Sequence, residues 1–506
     1  MQAEHFDVLI IGAGISGIGA ACHLTRECPG KRYAILERRN AIGGTWDLFR
    51  YPGIRSDSDM YTFGFNFKPW TEPKVLADGP SIKKYVRDTA DEYGVTRNIR
   101  FGLKVTDASW SSEEGRWTLT AQPEAGGEPL QFTCNFLLGC TGYYNYDAGY
   151  QPEFPGQKRF QGQFIHPQHW PEGLDYAGKR VVVIGSGATA ITLVPSMAGT
   201  AGHVTMLQRS PTYIMSVPAI DPLAAPMQRF LPDMVVYRLA RMRNIYLQRF
   251  LYGLSRRSPK TMRRLLLAGV RRQLGGKADM RHFTPSYNPW DERLCVVPNG
   301  DLFKVIRKGQ ASVVTDQIET FTEHGIKLKS GQELPADIIV SATGLNIQMV
   351  GGTRIEVDGK RVSPSDCLTY KGVLIEGVPN AAIIIGYTNA SWTLKADIAA
   401  EYVCRLLQHM DRKGYTQVVA HDRDNSRTEE TVLGGLNSGY IRRALDQLPK
   451  QGRQAPWRIT QDYVRDVPMM RQAPIDDGLL SFSSGRRKPA DAQAGRRAGA
   501  RAAVEA

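Results

Sequence analysis

The chain has 506 residues, 42% of them hydrophobic, with 50 Gly and 29 Pro, so it can bury a sizeable core cut by many tight turns. No run of about 18 apolar residues suggests a membrane-spanning helix. The seven cysteines form no CxxC pair and the histidines no HExxH, which argues against thiol-redox chemistry, and no metal site is expected. The net charge of +14 is local: residues 227–281 hold 14 Arg or Lys against Asp233 and Asp279, and residues 484–506 hold six against two acids. The remainder is slightly acidic, which excludes a general nucleic-acid role.

The N-terminal "FDVLIIGAGISGIGAACHLTREC" reads as an apolar strand, a glycine turn and an amphipathic helix; "RYAILERR" is a second strand ending in an acid. The start lacks a basic n-region and a cleavage site, so it reads as a strand and not as a signal peptide. "IRFGLKVTDASWS", "RWTLTAQ" and "QFTCNFLLGCTGYY" are strand-like, and a linker with Pro152 and Pro155 follows. A second strand–turn–helix–strand unit spans residues 180–211. The basic segment contains two helices, the first carrying Val235, Leu239, Met242, Tyr246 and Phe250 at helical spacing. "PADIIVSATG" is a buried strand, "LKADIAAEYVCRLLQHM" a late helix, and the Ala/Gly/Arg-rich tail reads as disordered. The expected division is 1–148 (first nucleotide-binding domain), 149–215 and 290–334 (second), 216–289 (helical insertion), 335–483 (return to the first) and 484–506 (tail). The fold class is α/β, with two Rossmann-like dinucleotide-binding domains and the insertion in the second.

Gly12, Gly14 and Gly17 form GxGxxG, with Ser16 at the start of the helix. The glycines permit the tight turn, backbone approach to a pyrophosphate and close helix–strand packing, and the phosphates sit on the helix N-terminus. Glu37 follows Gly17 by 20 residues, where a carboxylate accepts the ribose hydroxyls of an adenosine and repels a 2′-phosphate. The second unit has Gly185, Ser186, Gly187, Ala188, Thr189 and Ala190, which is GxGxxA. Its second strand ends in Gln208, Arg209 and Ser210 where the first has Glu37, and an arginine there suits a 2′-phosphate. The first site is therefore expected to take FAD and the second NADPH. Without a redox cysteine pair, oxygen is the expected electron acceptor.

The stretch "GGTWDLFRYPGIRSDSD" (residues 43–59) is neither helical nor alternating. Through Gly43, Gly44, Trp46, Tyr51, Pro52, Gly53 and Asp57 it resembles the GGxWxxxxYPGxxxD pattern of Baeyer–Villiger monooxygenases, class B flavoprotein monooxygenases. "FQGQFIHPQHWP", with Phe160, Gly162, His166 and Trp170, matches the FxGxxxHxxxWP fingerprint of that family, and "DIIVSATG" matches a third motif. The resemblance runs from Phe6 to about Asp476. Segments such as "QRSPTYI" and "GYTNASWTLKAD" set the chain nearest the ethionamide-activating branch. The resemblance implies oxidation of ketones to esters or lactones through a C4a-peroxyflavin, with sulfides or thiocarbonyl compounds as further substrates. It implies Arg293 as the cation beside the reacting oxygen and Asp57 as the carboxylate that orients it, hence Arg293 and Asp57 as the catalytic pair. It places Thr45, Trp46, Asp47, Leu48 and Val105 along the flavin, and Arg55 and Ser56 toward NADP. It makes His166 and Trp170 hinge residues, not a general base and its neighbour. Trp392 and Lys395 fall near the flavin or in the core. Many relatives carry a lysine where this chain has Glu292, which leaves more of the NADPH preference to Arg209.

Two alternatives share the nucleotide motifs: an N- or S-hydroxylating flavin monooxygenase, and a redox-sensing or membrane-associated flavoprotein. The basic insertion has two readings as well. It is a helical subdomain shaping the substrate tunnel, favoured because amphipathic helices usually face a core, or a surface for anionic membrane. The expected partners are a small apolar ketone or sulfide and O2. The expected location is cytoplasmic, with peripheral contact at the inner membrane face as the variant. Asp59 is expected to cap the following helix.

Overall fold

The structure, a computed structural model, describes residues 3–292, 294–433 and 439–484. The tail expected to be disordered lies outside the described residues apart from Ser484. The first apolar run forms β1 (Glu4–Ile11), the helix after the glycine turn is α1 (Ile15–Glu27), and the second run is β2 (Tyr33–Leu36). β1 pairs in parallel with β2 on one side (Ile11↔Leu36) and with β3 (Leu130–Gly139) on the other (Ile11↔Gly139). Strands covered on both faces read as continuous apolar runs, which is why β2 is buried throughout. Antiparallel strands Leu103–Ser111 and Arg116–Pro123 lead into β3. Far along the chain, Ala381–Ile383 pairs in parallel with β3 and Arg354–Val357 with Leu103–Ser111, so the chain does return to the first sheet.

The second sheet holds β4 (Gln163–Ile165), β5 (Arg180–Ile184), β6 (His203–Gln208), β7 (Ala311–Thr315) and β8 (Ile338–Ser341), in the order β7-β6-β5-β8-β4 and all parallel. Helix α2 (Ala188–Met197) follows β5 as α1 follows β1. One boundary moves. The expected return to the first domain at residue 335 places β8 there, but β8 pairs with β5 residue for residue (Val340↔Val183), so the second sheet extends to Ser341. An all-apolar strand has no mark of which sheet it joins. Just outside this sheet, Tyr144–Gly149 and Leu345–Ile347 pair antiparallel and tie the two inter-sheet connections together.

The insertion is helical as expected: α3 (Asp233–Arg257) is followed at once by α4 (Pro259–Leu274), Pro259 suiting a first helical turn. Two faces anchor it on opposite sides. Val236, Tyr237 and Ala240 of α3 join the core of the first domain, while Val270 and Leu274 of α4 join that of the second. The Tyr237 hydroxyl donates to the Phe65 carbonyl at 2.9 Å. Arg241 is buried, donates to the Tyr61 and Gly64 carbonyls at 2.8 Å each, and pairs with the buried Asp397 at 3.3 Å. Asp397 lies on α5 (Trp392–Lys413), the late helix packed on α1. The stripe favoured as core-facing is a correction. Val235, Leu239, Met242, Tyr246 and Phe250 are all exposed, because the face used for packing is the adjacent one through Val236, Tyr237, Ala240, Arg241 and Ile245.

Replacing Arg241 by leucine leaves Asp397 buried without its guanidinium and frees two carbonyls. We expect a loss of about 3–5 kcal/mol, as for one partner of a buried pair, read as a lower urea midpoint with an unchanged slope.

Candidate active site

Both glycine turns open into one cavity of about 520 Å³. From the first domain it is lined by Gly12, Gly14, Ser16, Glu37 and Val105; from the second, by Ser186, Gly187, Ala188 and Thr189. The turns are built alike. Gly12 and Gly185 both hold φ values closed to most side chains, +102° and +134°. A Cβ there would come within 2.8 Å of the Cys140 carbonyl oxygen and 2.4 Å of that of Ala342 respectively. Each glycine thus passes under the end of a neighbouring parallel strand, β3 in one case and β8 in the other. Gly17 does not line the cavity; a Cβ there would lie 1.9 Å from the Gly12 carbonyl oxygen, so it serves close packing of α1 on its own turn. In the second unit Ala190 takes that place and is fully buried. Over Gly187 a Cβ would meet no atom of the described residues within 4 Å, so the backbone there is open to a pyrophosphate.

Glu37 is 4% exposed and accepts from the backbone N–H of Ala13 at 2.6 Å and of Arg39 at 2.8 Å. Burial pushes its carboxyl pKa up, against the two N–H groups that favour its charged form. The residues present therefore fit an adenosine ribose at the first turn. At the second, the Ser186 hydroxyl donates to the Ser210 carbonyl at 3.1 Å, which ties the strand-end turn carrying Arg209 to the glycine turn. Arg209 itself is exposed. Gln208 is not at the cavity: it is 2% exposed and its amide donates to the His282 carbonyl and the Thr315 hydroxyl at 2.7 and 2.9 Å.

Residues 43–59 explain how the two turns come to share a cavity. Gly43, Gly44, Thr45 and Trp46 line it; Leu48, Phe49 and Tyr51 then enter the core of the second domain beside Val181, Ile191 and Val194, and Phe49 and Tyr51 also reach the cavity wall. Gly53 lies so close to α2 that a Cβ would fall 1.8 Å from the Ser196 hydroxyl. Arg55 pairs with Asp301, at the start of the next second-domain helix, at 2.6 Å. Arg55, Ser56, Asp57 and Ser58 then line the second-domain side of the cavity with Glu292 and Cys295. Two residues placed along the flavin are corrected. Leu48 is in the second core, and Asp47, 4% exposed, points away from the cavity to Arg39 at 2.6 Å and to Lys83. Burial would raise the Asp47 carboxyl; the hydrogen bonds from Lys83 and Arg39 override it and hold the group below its ordinary range. Asp59 caps the helix Met60–Phe63, accepting from the Thr62 N–H at 3.1 Å, and also accepts from Asn244 and Gln248 of α3. Arg293, the cation paired in expectation with Asp57, lies outside the described residues. Asp57 is exposed on the cavity wall.

The opposite wall is aromatic. Trp392 stacks on Tyr143 (5.2 Å, 23°) and its indole N–H donates to the Ser16 hydroxyl at 2.7 Å. Lys395, one turn on, is core: it is 1% exposed and bonds to Asp466 at 2.9 Å and the Lys371 carbonyl at 3.1 Å. Sequence reasoning missed Tyr143, Tyr144 and Tyr146, all on the cavity wall in "TGYYNY" directly after β3. A tyrosine run following a strand-end glycine was the available signal. A second cavity of about 600 Å³ lies between α3 and residues 389–394 and 460–465, and Ala390 lines both cavities.

The fingerprint residues sit at the inter-sheet connection. Phe160 packs against Phe321, and Gly162 passes under the Asp337 carbonyl, 2.4 Å from where a Cβ would be. Trp170 packs on the second core. His166 lies against Gly149; its Nε2–H donates to the Gly344 carbonyl, and its Nδ1 accepts from the Gln168 N–H, both at 3.2 Å. Those partners require the neutral tautomer, and His166 is not on the cavity wall. Burial holds its pKa below the ordinary histidine range. The unfolded chain therefore takes up the proton first. The stability this ring contributes is present above about pH 6.5 and is lost as pH falls from there through the lowered folded value. We expect the thermal midpoint of His166→Gln to approach that of the parent chain between about pH 7.5 and about 5.5; a constant gap between the two would contradict this.

Comparison with known proteins agrees with this architecture. The flavin-binding monooxygenase-like family model matches residues 6–431. MymA of Mycobacterium tuberculosis, named an FAD-containing monooxygenase, is 61% identical over 95% of this chain and 98% of its own length. AlmA of an Acinetobacter species, named an FAD-binding monooxygenase, is 58% identical over 95% and 96%. EthA of M. tuberculosis, an FAD-containing monooxygenase, is 54% identical over 95% and 98%. Among solved structures, a steroid monooxygenase bound to NADP superposes with a TM-score of 0.76 at 23% identity, covering 95% of this chain and all of that one. The open form of cyclohexanone monooxygenase gives 0.69 at 24%, covering 83% and 90%; both show the shared fold. With the family model spanning most of the chain and relatives above half identity along nearly all of it, the protein belongs to the flavin-binding monooxygenase-like family.

Proposed function

We propose that the protein is an NADPH- and O2-dependent monooxygenase of the Baeyer–Villiger type, converting apolar ketones to esters or lactones, with sulfides and thiocarbonyl compounds as further substrates. The observation that carries this reading is the single cavity shared by the two glycine turns. Glu37 selects the first turn for FAD, whose ribose needs an acceptor, and Arg209 beside the second favours the 2′-phosphate of NADP. Bound there, FAD supplies acceptance of hydride from the nicotinamide and activation of O2. Everything else falls to this chain.

Residues 43–59 hold the two sites at a fixed separation, as the Arg55–Asp301 pair and the buried Leu48 and Tyr51 support. The Trp392–Tyr143 stack, Trp46 and Phe63 give the cavity an apolar wall, and where a bound cofactor and substrate displace water against it any charge placed inside is strengthened. In this reading Arg293 is the fixed cation that favours negative charge on the reacting oxygen, and Asp57 is the carboxylate that orients it. Disulfide reduction is disfavoured: the seven cysteines are buried and none forms a disulfide, and burial pushes the thiol of the cavity's Cys140 up, away from the reactive thiolate. Buried thiols outside any disulfide also suit a reducing compartment. The apolar substrate class is supported by the aromatic wall and by the second cavity, lined by Ile245, Phe250, Leu254, Leu394 and Tyr463 and meeting the first at Ala390.

The test is NADPH-coupled oxygen uptake with aliphatic, cyclic and aryl ketones and sulfides, the products being weighed by mass spectrometry. We expect an ester or lactone carrying one added oxygen, formed in step with NADPH consumed. N-oxides or hydroxylamines from amines with no ester from any ketone would assign the chain to the N- or S-hydroxylating branch. NADPH oxidation without any oxygenated product would contradict the monooxygenase reading.

A further inference from the structure

The insertion leaves an apolar surface that none of the described residues covers. On α3, Val235, Leu239, Met242, Tyr246 and Phe250 are 43–64% exposed. At 3.6 residues per turn they form one stripe along the helix. Phe230, just before the helix, is 85% exposed. Monomeric soluble proteins rarely leave a contiguous apolar strip of this kind without a partner.

The charge around the stripe names the partner. α3 contains six arginines and a single acid, Asp233. Arg238, Arg249, Arg256 and Arg257 are exposed beside the stripe. Arg249 and Arg256 have the acids Asp462 and Asp291 at 3.0 and 2.8 Å. Arg238 and Arg257, and on α4 Lys260, Arg264, Arg271 and Arg272, are exposed with no acidic partner among the described residues. An apolar stripe flanked by uncompensated arginines on a helix of low mean hydropathy is the composition of a helix lying in a membrane interface. No helix among the described residues is long and apolar enough to cross a membrane, so the contact would be in-plane. A second copy of the chain fits poorly: a two-fold contact would set this basic face against itself.

We propose that α3 and Phe230 dock the protein on an anionic lipid surface, the apolar stripe entering the headgroup boundary and the arginines meeting lipid phosphates. The second cavity lies along the same helix, with Tyr246 and Phe250 in both the stripe and its lining. The docked face is therefore also the face on which that cavity opens.

The experiment is flotation of the full-length protein with phosphatidylglycerol/phosphatidylcholine vesicles and with phosphatidylcholine vesicles alone. We expect recovery with the anionic vesicles only, falling as salt rises. In the double variant Leu239→Glu, Met242→Glu, at positions lining neither cavity, we expect about a tenfold or greater loss of partitioning. Should that variant melt early, Phe230→Ser, outside the helix, is expected to weaken flotation in the same direction. Failure to float with anionic vesicles at low salt overturns the proposal, as does flotation unaffected by both variants. A self-association in sedimentation velocity that both variants abolish, without vesicle binding, would assign the face to a second copy instead.

Discussion

The structure depends on one constraint: two nucleotide-binding sheets, each folded from its own stretch of chain, must present their glycine turns to the same cavity. Residues 43–59 meet it by packing. The segment leaves the first turn at Gly44, buries Leu48, Phe49 and Tyr51 among side chains of the second sheet and its helix, and returns along the cavity wall to Asp57. Gly53 against Ser196 and Arg55 against Asp301 allow almost no sliding. Burying three large side chains is worth several kcal/mol by area, well above what an exposed ion pair contributes. The contact between domains is thus hydrophobic first and ionic second. His166 closes the other side, joining Gly149 and Gly344 where the chain crosses between sheets.

The insertion repeats this division of labour. Arg241 and Tyr237 lock α3 to backbone carbonyls of residues 61–65, directly after the 43–59 segment, and Asp59 accepts from Asn244 and Gln248 of the same helix. Anchoring on one face by buried hydrogen bonds leaves the neighbouring face free of packing duty. That is how a helix with an apolar stripe can be firmly held and still expose the stripe.

Local features were legible in the sequence where a residue's role is set within its own strand–turn–helix unit. Gly12, Gly17, Glu37, Gly185 and Gly187 stand where the spacing places them, and Asp59 caps its helix. Legibility failed where the partner is distant. Asp47 looked like a flavin neighbour by position, but Arg39 and Lys83 hold it. Gln208 sits at the diagnostic strand end, yet its amide is taken by His282, more than 70 residues on. Lys395 lies one turn from the cavity-wall Trp392 and faces Asp466 in the core. β8 is apolar throughout and carries no mark of its sheet. The α3 stripe was misread because periodicity reports that a helix has an apolar face, while this helix has two adjacent ones and only the fold selects which is buried.

The central claim is that the first turn holds the flavin and the second holds NADP, close enough for hydride to pass. Anaerobic rapid mixing of the FAD-loaded protein with NADPH or NADH, following loss of the oxidised flavin absorbance, tests it most directly. The account expects reduction that saturates with NADPH, runs faster with NADPH than with NADH at equal concentration, and loses that preference in Arg209→Ala while flavin content is unchanged. Flavin that NADPH does not reduce, or a preference untouched by Arg209→Ala, would contradict the assignment of the two sites.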